Sequence, residues 1–315
     1  MKNILPSHGE FALFTVLIVC LASWPVIAQS DNGAPTVDPW ALVGEPQPAA
    51  EPATDKSAYT FLNPTPDDQM RAFSTDRPGK THSSATVDAG HFQVESDFVN
   101  ETYDYHSPQQ TTTRDVSVAT PILKYGVTNW ADIEAAFALY NHTRVTDRTT
   151  GNSVMGEGFG DVSLGSKINL FGNDEGTQSL ALLPFVKIPT SASNVGNSTF
   201  EYSLNVPYMI NLDTLWAVTL EPALALLKNT DNDGLHGDYS FLVNVNRPLF
   251  FQSVIGALEL ASEYSSGGQN TPRYTLDPSL QWLVAPDVQL DVGIYIGLNK
   301  AAPDYNAYTG ISFRY

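Results

Sequence analysis

Charge is scarce in this chain of 315 residues, positive charge especially so, and cysteine is almost missing. Charged residues make up 16% of the sequence, well below the roughly 25% of an ordinary soluble domain. The 16 Lys and Arg face 34 Asp and Glu, for a formal net charge of −18. So acidic a chain is a poor partner for a phosphate backbone, which excludes nucleic acid as a ligand. It equally excludes docking by charge on anionic lipid. Cys20 is the only cysteine, so there is neither a disulfide framework nor a Cys-ligated metal site. Helical periodicity is nearly absent after Gly90. Beyond the N-terminus no run reaches the ~18 apolar residues of a spanning helix.

What is present begins with an address. Lys2 precedes an apolar stretch from Phe11 to Ile27, and Val26 and Ala28 form a small-residue cleavage pattern before Gln29. Residues 1–28 therefore read as a secretory signal peptide. Cys20 sits inside its apolar region, so the mature chain would carry no thiol, which suits an oxidising compartment. Residues 29–73 are rich in Pro, Ala, Asp and Glu, and Pro35, Pro39, Pro46, Pro48, Pro52, Pro64 and Pro66 fall there. Such a composition cannot bury a core, and a flexible, extended periplasmic segment is expected.

From about residue 91 the texture is period-2 alternation, the signature of strands with two unlike faces. Val288, Leu290, Val292, Ile294, Ile296 and Leu298 interleave with Gln289, Asp291, Gly293, Tyr295, Gly297 and Asn299. Trp216, Val218, Leu220, Pro222, Leu224 and Leu226 likewise alternate with Ala217, Thr219, Glu221, Ala223 and Ala225. Twelve such segments can be placed, near 91–104, 115–125, 129–141, 160–171, 178–189, 200–210, 214–227, 238–246, 252–265, 273–284, 288–299 and 307–315. The second and fifth are ambiguous in phase. Most are about ten residues, the length a tilted strand needs to cross a bilayer. Short connections alternate with long polar ones, including Tyr105 to Arg114, His142 to Phe159 and Thr190 to Thr199. The fold expected is all-β, a transmembrane antiparallel up-and-down barrel of about 12 strands over residues 91–315, with short periplasmic turns and long external loops.

Aromatic residues sort the same way. Trp130, Trp216 and Trp282, with Tyr125, Tyr208 and Phe250, fall at short-turn ends. Tyr140, Tyr202, Tyr239, Tyr264, Tyr274 and Tyr308 fall at long-loop ends. Two girdles at two membrane interfaces are expected. The chain closes on Ile311, Phe313 and Tyr315, alternating outward to a terminal aromatic. This resembles the C-terminal signal by which outer-membrane barrels are recognised by the barrel-assembly machinery.

The N-terminal edge of the strand region carries a more specific likeness. Ser74-Thr75-Asp76-Arg77-Pro78-Gly79-Lys80-Thr81, then Val87-Asp88-Ala89-Gly90-His91-Phe92-Gln93-Val94-Glu95, resembles the opening of a bacterial outer-membrane transporter family named for the meta pathway of phenol degradation. Leu123-Lys124-Tyr125-Gly126-Val127-Thr128, Gly158-Phe159-Gly160-Asp161-Val162 and Phe185-Val186-Lys187-Ile188-Pro189-Thr190 extend it over Ser74 to Tyr315, with 74–90 as the motif leading into the barrel. The resemblance implies an outer-membrane channel, with hydrophobic or aromatic compounds as its solutes.

The inward positions are Glu95, Asp97, Asp132, Glu134, Asp161, Lys167, Lys187, Glu201, Glu221, Glu259, Glu263, Asp277, Asp291 and Arg314. Acids dominate. Either the lumen favours cations and polar solutes, or these groups pair across strands and simply solvate the interior. Asp76 and Arg77 also have two readings: a salt bridge seating the N-terminal segment in the barrel mouth, or a turn set by Pro78-Gly79.

Catalysis has no support. Outer-membrane phospholipases place His two residues before Ser on a strand, whereas His142 is followed by Arg144, and His82 with Ser84 precedes the barrel. No Gly-x-Ser-x-Gly is present. Asn229-Thr-Asp231-Asn-Asp233-Gly234 resembles the start of a calcium loop, but Ser240 stands where the final acid belongs. No catalytic residue, metal or cofactor is expected. The partners expected are outer-membrane lipid, the assembly machinery and a small solute. The rival to a channel is a closed barrel with a structural or surface-binding role.

Overall fold

The computed structural model describes residues 55–315, apart from 175, 193–194, 214, 231–232, 250, 252 and 268–270. The expected signal peptide, most of the Pro-rich stretch, Phe250 and the heart of the calcium-like loop lie outside the described residues.

The chain forms one closed antiparallel barrel of twelve strands. In chain order they are β1 (Phe92–Asp104), β2 (Thr111–Val118 and Ile122–Thr128), β3 (Ala131–Ala136 and Tyr140–Asp147) and β4 (Ser153–Gly158 and Val162–Phe171). Next come β5 (Gln178–Ile188), β6 (Glu201–Asn205 and Tyr208–Asn211), β7 (Ala217–Lys228) and β8 (Leu235–Pro248). The last four are β9 (Val254–Ser265), β10 (Arg273–Ala285), β11 (Val288–Gly297) and β12 (Tyr305–Arg314). Each strand pairs with its sequence neighbours, and β1 closes on β12 from Gln93 opposite Arg314 to Tyr103 opposite Tyr305. Closure removes the open edges that a sheet cannot expose to lipid. The only helical element among the described residues is the 3-10 turn Asp67–Gln69.

Four strands are interrupted, and three of the interruptions lie side by side. Phe137 N donates to Pro121 O at 3.1 Å, Leu139 N to Ala119 O at 2.9 Å, and Gly160 N to Ala138 O at 3.0 Å. Pro121 and Pro207 offer no N–H to the ladder, which breaks β2 and β6 where they stand. Above the row of breaks, the stretch from His142 to Phe159 is mostly a hairpin. The sequence suggested a long loop there, but Tyr140–Asp147 pairs with Ser153–Gly158. Its Thr, Val and Ser residues suit a pleated surface without needing a buried face.

The inside and outside are inverted relative to a soluble protein. Lys124, Lys167, Glu95, Glu221 and Glu259 are among the largest fully buried side chains, whereas Leu123, Ile133, Leu164, Phe241, Leu260 and Phe313 are exposed. Alternation produces this directly, since each strand points apolar residues outward and polar ones into the lumen.

Candidate functional site in the barrel lumen

The lumen is occupied by the chain's own residues 74–88. This segment crosses the interior and meets the wall strand by strand. Arg77 forks onto Asp291 of β11, with Nε–Oδ2 at 3.0 Å and Nη2–Oδ1 at 2.7 Å, while its Nη1 reaches Asp97 of β1 at 2.6 Å. Lys80 N and Thr81 N donate to Glu259 of β9 at 3.1 and 3.0 Å. His82 presents both its backbone N–H and its ring Nδ1 to Glu221 of β7, at 2.6 and 2.8 Å. Ser84 bonds Ser179 of β5, and Asn169 of β4 donates to Ser84 O at 2.9 Å. Val87 N reaches Asp132 of β3 at 2.9 Å.

The centre of this arrangement is Asp76. Its carboxylate takes the ammonium groups of Lys124 and Lys167, the latter at 2.6 Å, and accepts Ser83 N at 2.7 Å. Lys124 also pairs with Glu95, whose other oxygen accepts the backbone N–H of Asp76 and Arg77 at 2.9 and 3.1 Å. Charges taken out of water are tolerable only when so paired and bonded. Glu134, 4% exposed, is the exception: neither oxygen has a hydrogen-bond partner, and its nearest cation is Lys167 at 4.0 Å.

The wall admits this close approach where glycine stands in it. A Cβ on Gly126 would sit 2.0 Å from Asp88 O, and one on Gly310 would sit 2.3 Å from Arg77 Nη2. Upstream, residues 55–73 bond to the short-turn mouth. Phe61 N donates to Val127 O at 2.9 Å, Lys56 pairs with Asp174 at 2.9 Å, and Arg71 bonds Asp174, Thr86 and Asn129. At Asp174, partial burial pushes the carboxyl up, but hydrogen bonds from Lys56 and Asn129, with the charges of Arg71 and Lys56, hold it below the ordinary carboxylate value.

The inward residues expected from the sequence therefore fall into four groups. Glu95, Asp97, Asp132, Glu221, Glu259 and Asp291 hold the crossing segment, Lys167 joins them through Asp76, and Glu134 lies beside Lys167. Asp277 lines the same interior but bonds Tyr308 Oη at 2.7 Å and Ile294 N at 3.2 Å. Asp161 and Lys187 stand apart near the long loops, where Lys187 pairs with Asp161 at 3.2 Å and Glu201 at 2.8 Å. Arg314 sits at the short-turn mouth, paired with Asp287 at 2.6 Å and Asp88 at 3.4 Å. Pro78 and Gly79 do shape the segment, but Asp76 and Arg77 are far more than a turn.

Lys80, His82, Asp88, Lys124 and Arg273 also belong to the interior, although alternation did not single them out. Lys80, His82 and Asp88 lie in a segment with no periodicity. Lys124 lies in β2, whose phase is broken at Ala119 to Pro121. Trp130, Trp216, Trp282 and Tyr315 all face outward at short-turn ends. Tyr308 does not belong to the long-loop girdle. It is 4% exposed and points into the lumen, in phase with Gly310 and Ser312 and out of phase with Ile311 and Phe313.

Residues Gly79 to Thr81 lie between one cavity and two others. On the short-turn side lies one of about 210 Å³ between the segment and the far wall, reaching Asn244, Gln281 and Gln289. On the long-loop side lie two more, of about 370 and 390 Å³, which share Glu263, Arg273 and Pro303.

Residues 75–315 match the sequence profile of a family described as "Putative MetA-pathway of phenol degradation". Among solved structures, an outer membrane channel from Pseudomonas putida F1 is similar, with 14% identity and a TM-score of 0.55, over 71% of this chain and 95% of that one. The transport unit of the autotransporter AIDA-I from Escherichia coli aligns with 8% identity and a TM-score of 0.48, over 71% of this chain and 89% of that one. The translocator domain of the autotransporter NalP from Neisseria meningitidis gives 10% and 0.47, over 71% and 88%. No curated protein sequence matches the chain.

Proposed function

The chain belongs to the family described by the MetA pathway of phenol degradation, and from that premise we propose that it is an outer-membrane channel for small solutes. The observation that carries this reading is the inverted barrel, apolar outside and charged inside, with cavities on both faces of a single crossing segment. An apolar belt flanked by outward Trp and Tyr suits lipid, and the outward C-terminal aromatic suits delivery by the barrel-assembly machinery after signal-peptide cleavage. Passage is passive, set by size and by lumen charge. The family name supports a solute range that includes hydrophobic and aromatic compounds.

The occupied lumen favours one rival, a closed barrel with a structural or surface-binding role. Single-channel recording of the folded protein in a planar bilayer separates the two. Discrete conductance steps are expected of a channel whose lumen passes small solutes. A folded, inserted barrel that stays silent supports the rival.

A further inference from the structure

The cavity on the long-loop side of Lys80 is built to receive something. Its volume, about 370 Å³, is that of a site for a one-ring ligand. Lys80 Nζ pairs with Glu263 Oε1 at 2.6 Å, and Arg273 Nη2 with Glu263 Oε2 at 3.1 Å. Both oxygens of that carboxylate are thereby engaged. Of the nearby acids, Glu259 is engaged by Lys80 N and Thr81, Asp277 by Tyr308 and Ile294, and Asp238, on the adjoining cavity, lies 3.6 Å from Arg273 Nη2. The two cations are not exhausted, because an ammonium carries three donors and a guanidinium five. Among the residues that line this cavity there are thus spare N–H donors, and the one carboxylate, Glu263, is engaged at both oxygens.

A second observation is independent of charge. Thr275 lines the cavity, is 7% exposed, and its hydroxyl has no hydrogen-bond partner. A buried hydroxyl left unpaired is costly, and a ligand oxygen would satisfy it. Tyr295 and Tyr305 supply aromatic walls. Tyr305 is stacked on Tyr103 with ring centroids 5.6 Å apart, and Lys80 Nζ lies 4.8 Å from the Tyr295 ring centroid. The adjoining cavity of about 390 Å³ shares Arg273 and Glu263 and is lined by residues of the long connections, Gln109, Thr230 and Thr271 among them, which gives access from that side.

We infer that this cavity binds small aromatic carboxylates, the carboxylate on Lys80 and Arg273, the ring against Tyr295 and Tyr305, and the Thr275 hydroxyl on a ligand oxygen. The inference rests on the reading of the lumen as a path for small solutes and names a class of solute for it. Because Lys80 belongs to the crossing segment, the site is assembled jointly by segment and wall.

The test is calorimetric titration of the whole folded chain in detergent micelles with benzoate, benzyl alcohol and benzylammonium. Benzoate is expected to bind about tenfold or more tightly than either of the others, the scale of one charge-assisted hydrogen bond. Arg273→Gln should weaken benzoate by about tenfold, and the near-isosteric Thr275→Val by a smaller factor of roughly three to five. Heat-modifiable gel mobility confirms that each variant is folded, and Thr275→Val carries the test should Arg273→Gln not fold. Benzoate binding no tighter than benzyl alcohol, or unchanged in the folded variants, overturns the site. Bilayer recording keeps the two readings apart. Conductance without benzoate binding refutes the site alone, whereas benzoate binding in a silent barrel refutes passage and upholds the site.

Discussion

The two halves of the lumen are built on opposite plans. In the short-turn half, charges are mostly buried and almost fully matched: Asp76 with Lys124 and Lys167, Arg77 with Asp97 and Asp291, His82 with Glu221. In the long-loop half, the charges of Lys80, Glu263 and Arg273 are partly exposed, and they border open cavities. The contrast shows what an acidic interior is for. Most of the carboxylates that alternation places on the wall accept hydrogen bonds from residues 74–88, so the acidity read in the sequence is largely a receptor for the chain's own segment. What remains for a solute is the upper half, where cations are the groups with donors to spare.

The sharpest way to break this contrast is to remove a charge from each half. Asp76→Ala removes the shared partner of two buried ammonium groups, leaving Lys124 on Glu95 alone and Lys167 with only Glu134 at 4.0 Å, and should cost about 3–5 kcal/mol. Arg273→Ala removes a side chain that is 39% exposed and should cost less than about 1 kcal/mol. Urea unfolding in detergent micelles measures both, and equal losses would erase the distinction between the halves. Next in size, Arg77→Ala should free the crossing segment, seen as faster protease cleavage before Gly90 and larger single-channel conductance. A variant that is cleaved and conducts like the parent shows that the segment is held without the fork. Gly310→Ala puts a methyl group 2.3 Å from Arg77 Nη2 and 2.4 Å from Ser96 O. Overpacking of that kind should cost about 1–3 kcal/mol and should vanish in the Arg77→Ala background only to the extent that the guanidinium is the obstacle.

The smallest effect expected is at the mouth. Asp174 is held below its ordinary value in the folded chain, so its contribution is fully present above the unfolded carboxylate pKa of roughly 4. It is lost as pH falls through the depressed folded value. Asp174 is itself partly exposed at the mouth, and its contribution amounts to about 1 kcal/mol or less. Asp174→Asn should therefore flatten the acid limb of the stability profile slightly and leave neutral pH nearly unchanged in slope. An unaltered acid limb would remove Asp174 from the tether.

Strand number, strand phase and the sorting of short from long connections were legible because a barrel strand writes its two faces into alternate residues. β7 and β11 show this without ambiguity. Legibility failed wherever backbone geometry departed from a plain strand. The break at Ala119 to Pro121 hid the inward phase of Lys124, and the paired hairpin above Phe137 to Leu139 looked like loop because neither face needs to be apolar. Tyr308 was misplaced by position along the strand, although its parity with Ser312 already pointed inward. The crossing segment was legible only at Asp76 and Arg77. Its bonds to Glu221 and Glu259 join residues more than a hundred positions apart in sequence, and no local pattern encodes such a pairing.

The Arg77 fork also has a mechanical meaning. Asp97 belongs to the first strand and Asp291 to the eleventh, and the twelfth lies between them. A single guanidinium inside the lumen therefore spans the place where the two ends of the sheet meet. Pulling the terminal strands apart requires breaking that internal latch together with the backbone ladder from Gln93 to Tyr103. The seam of the cylinder is riveted from within by a residue that the chain places before its first strand.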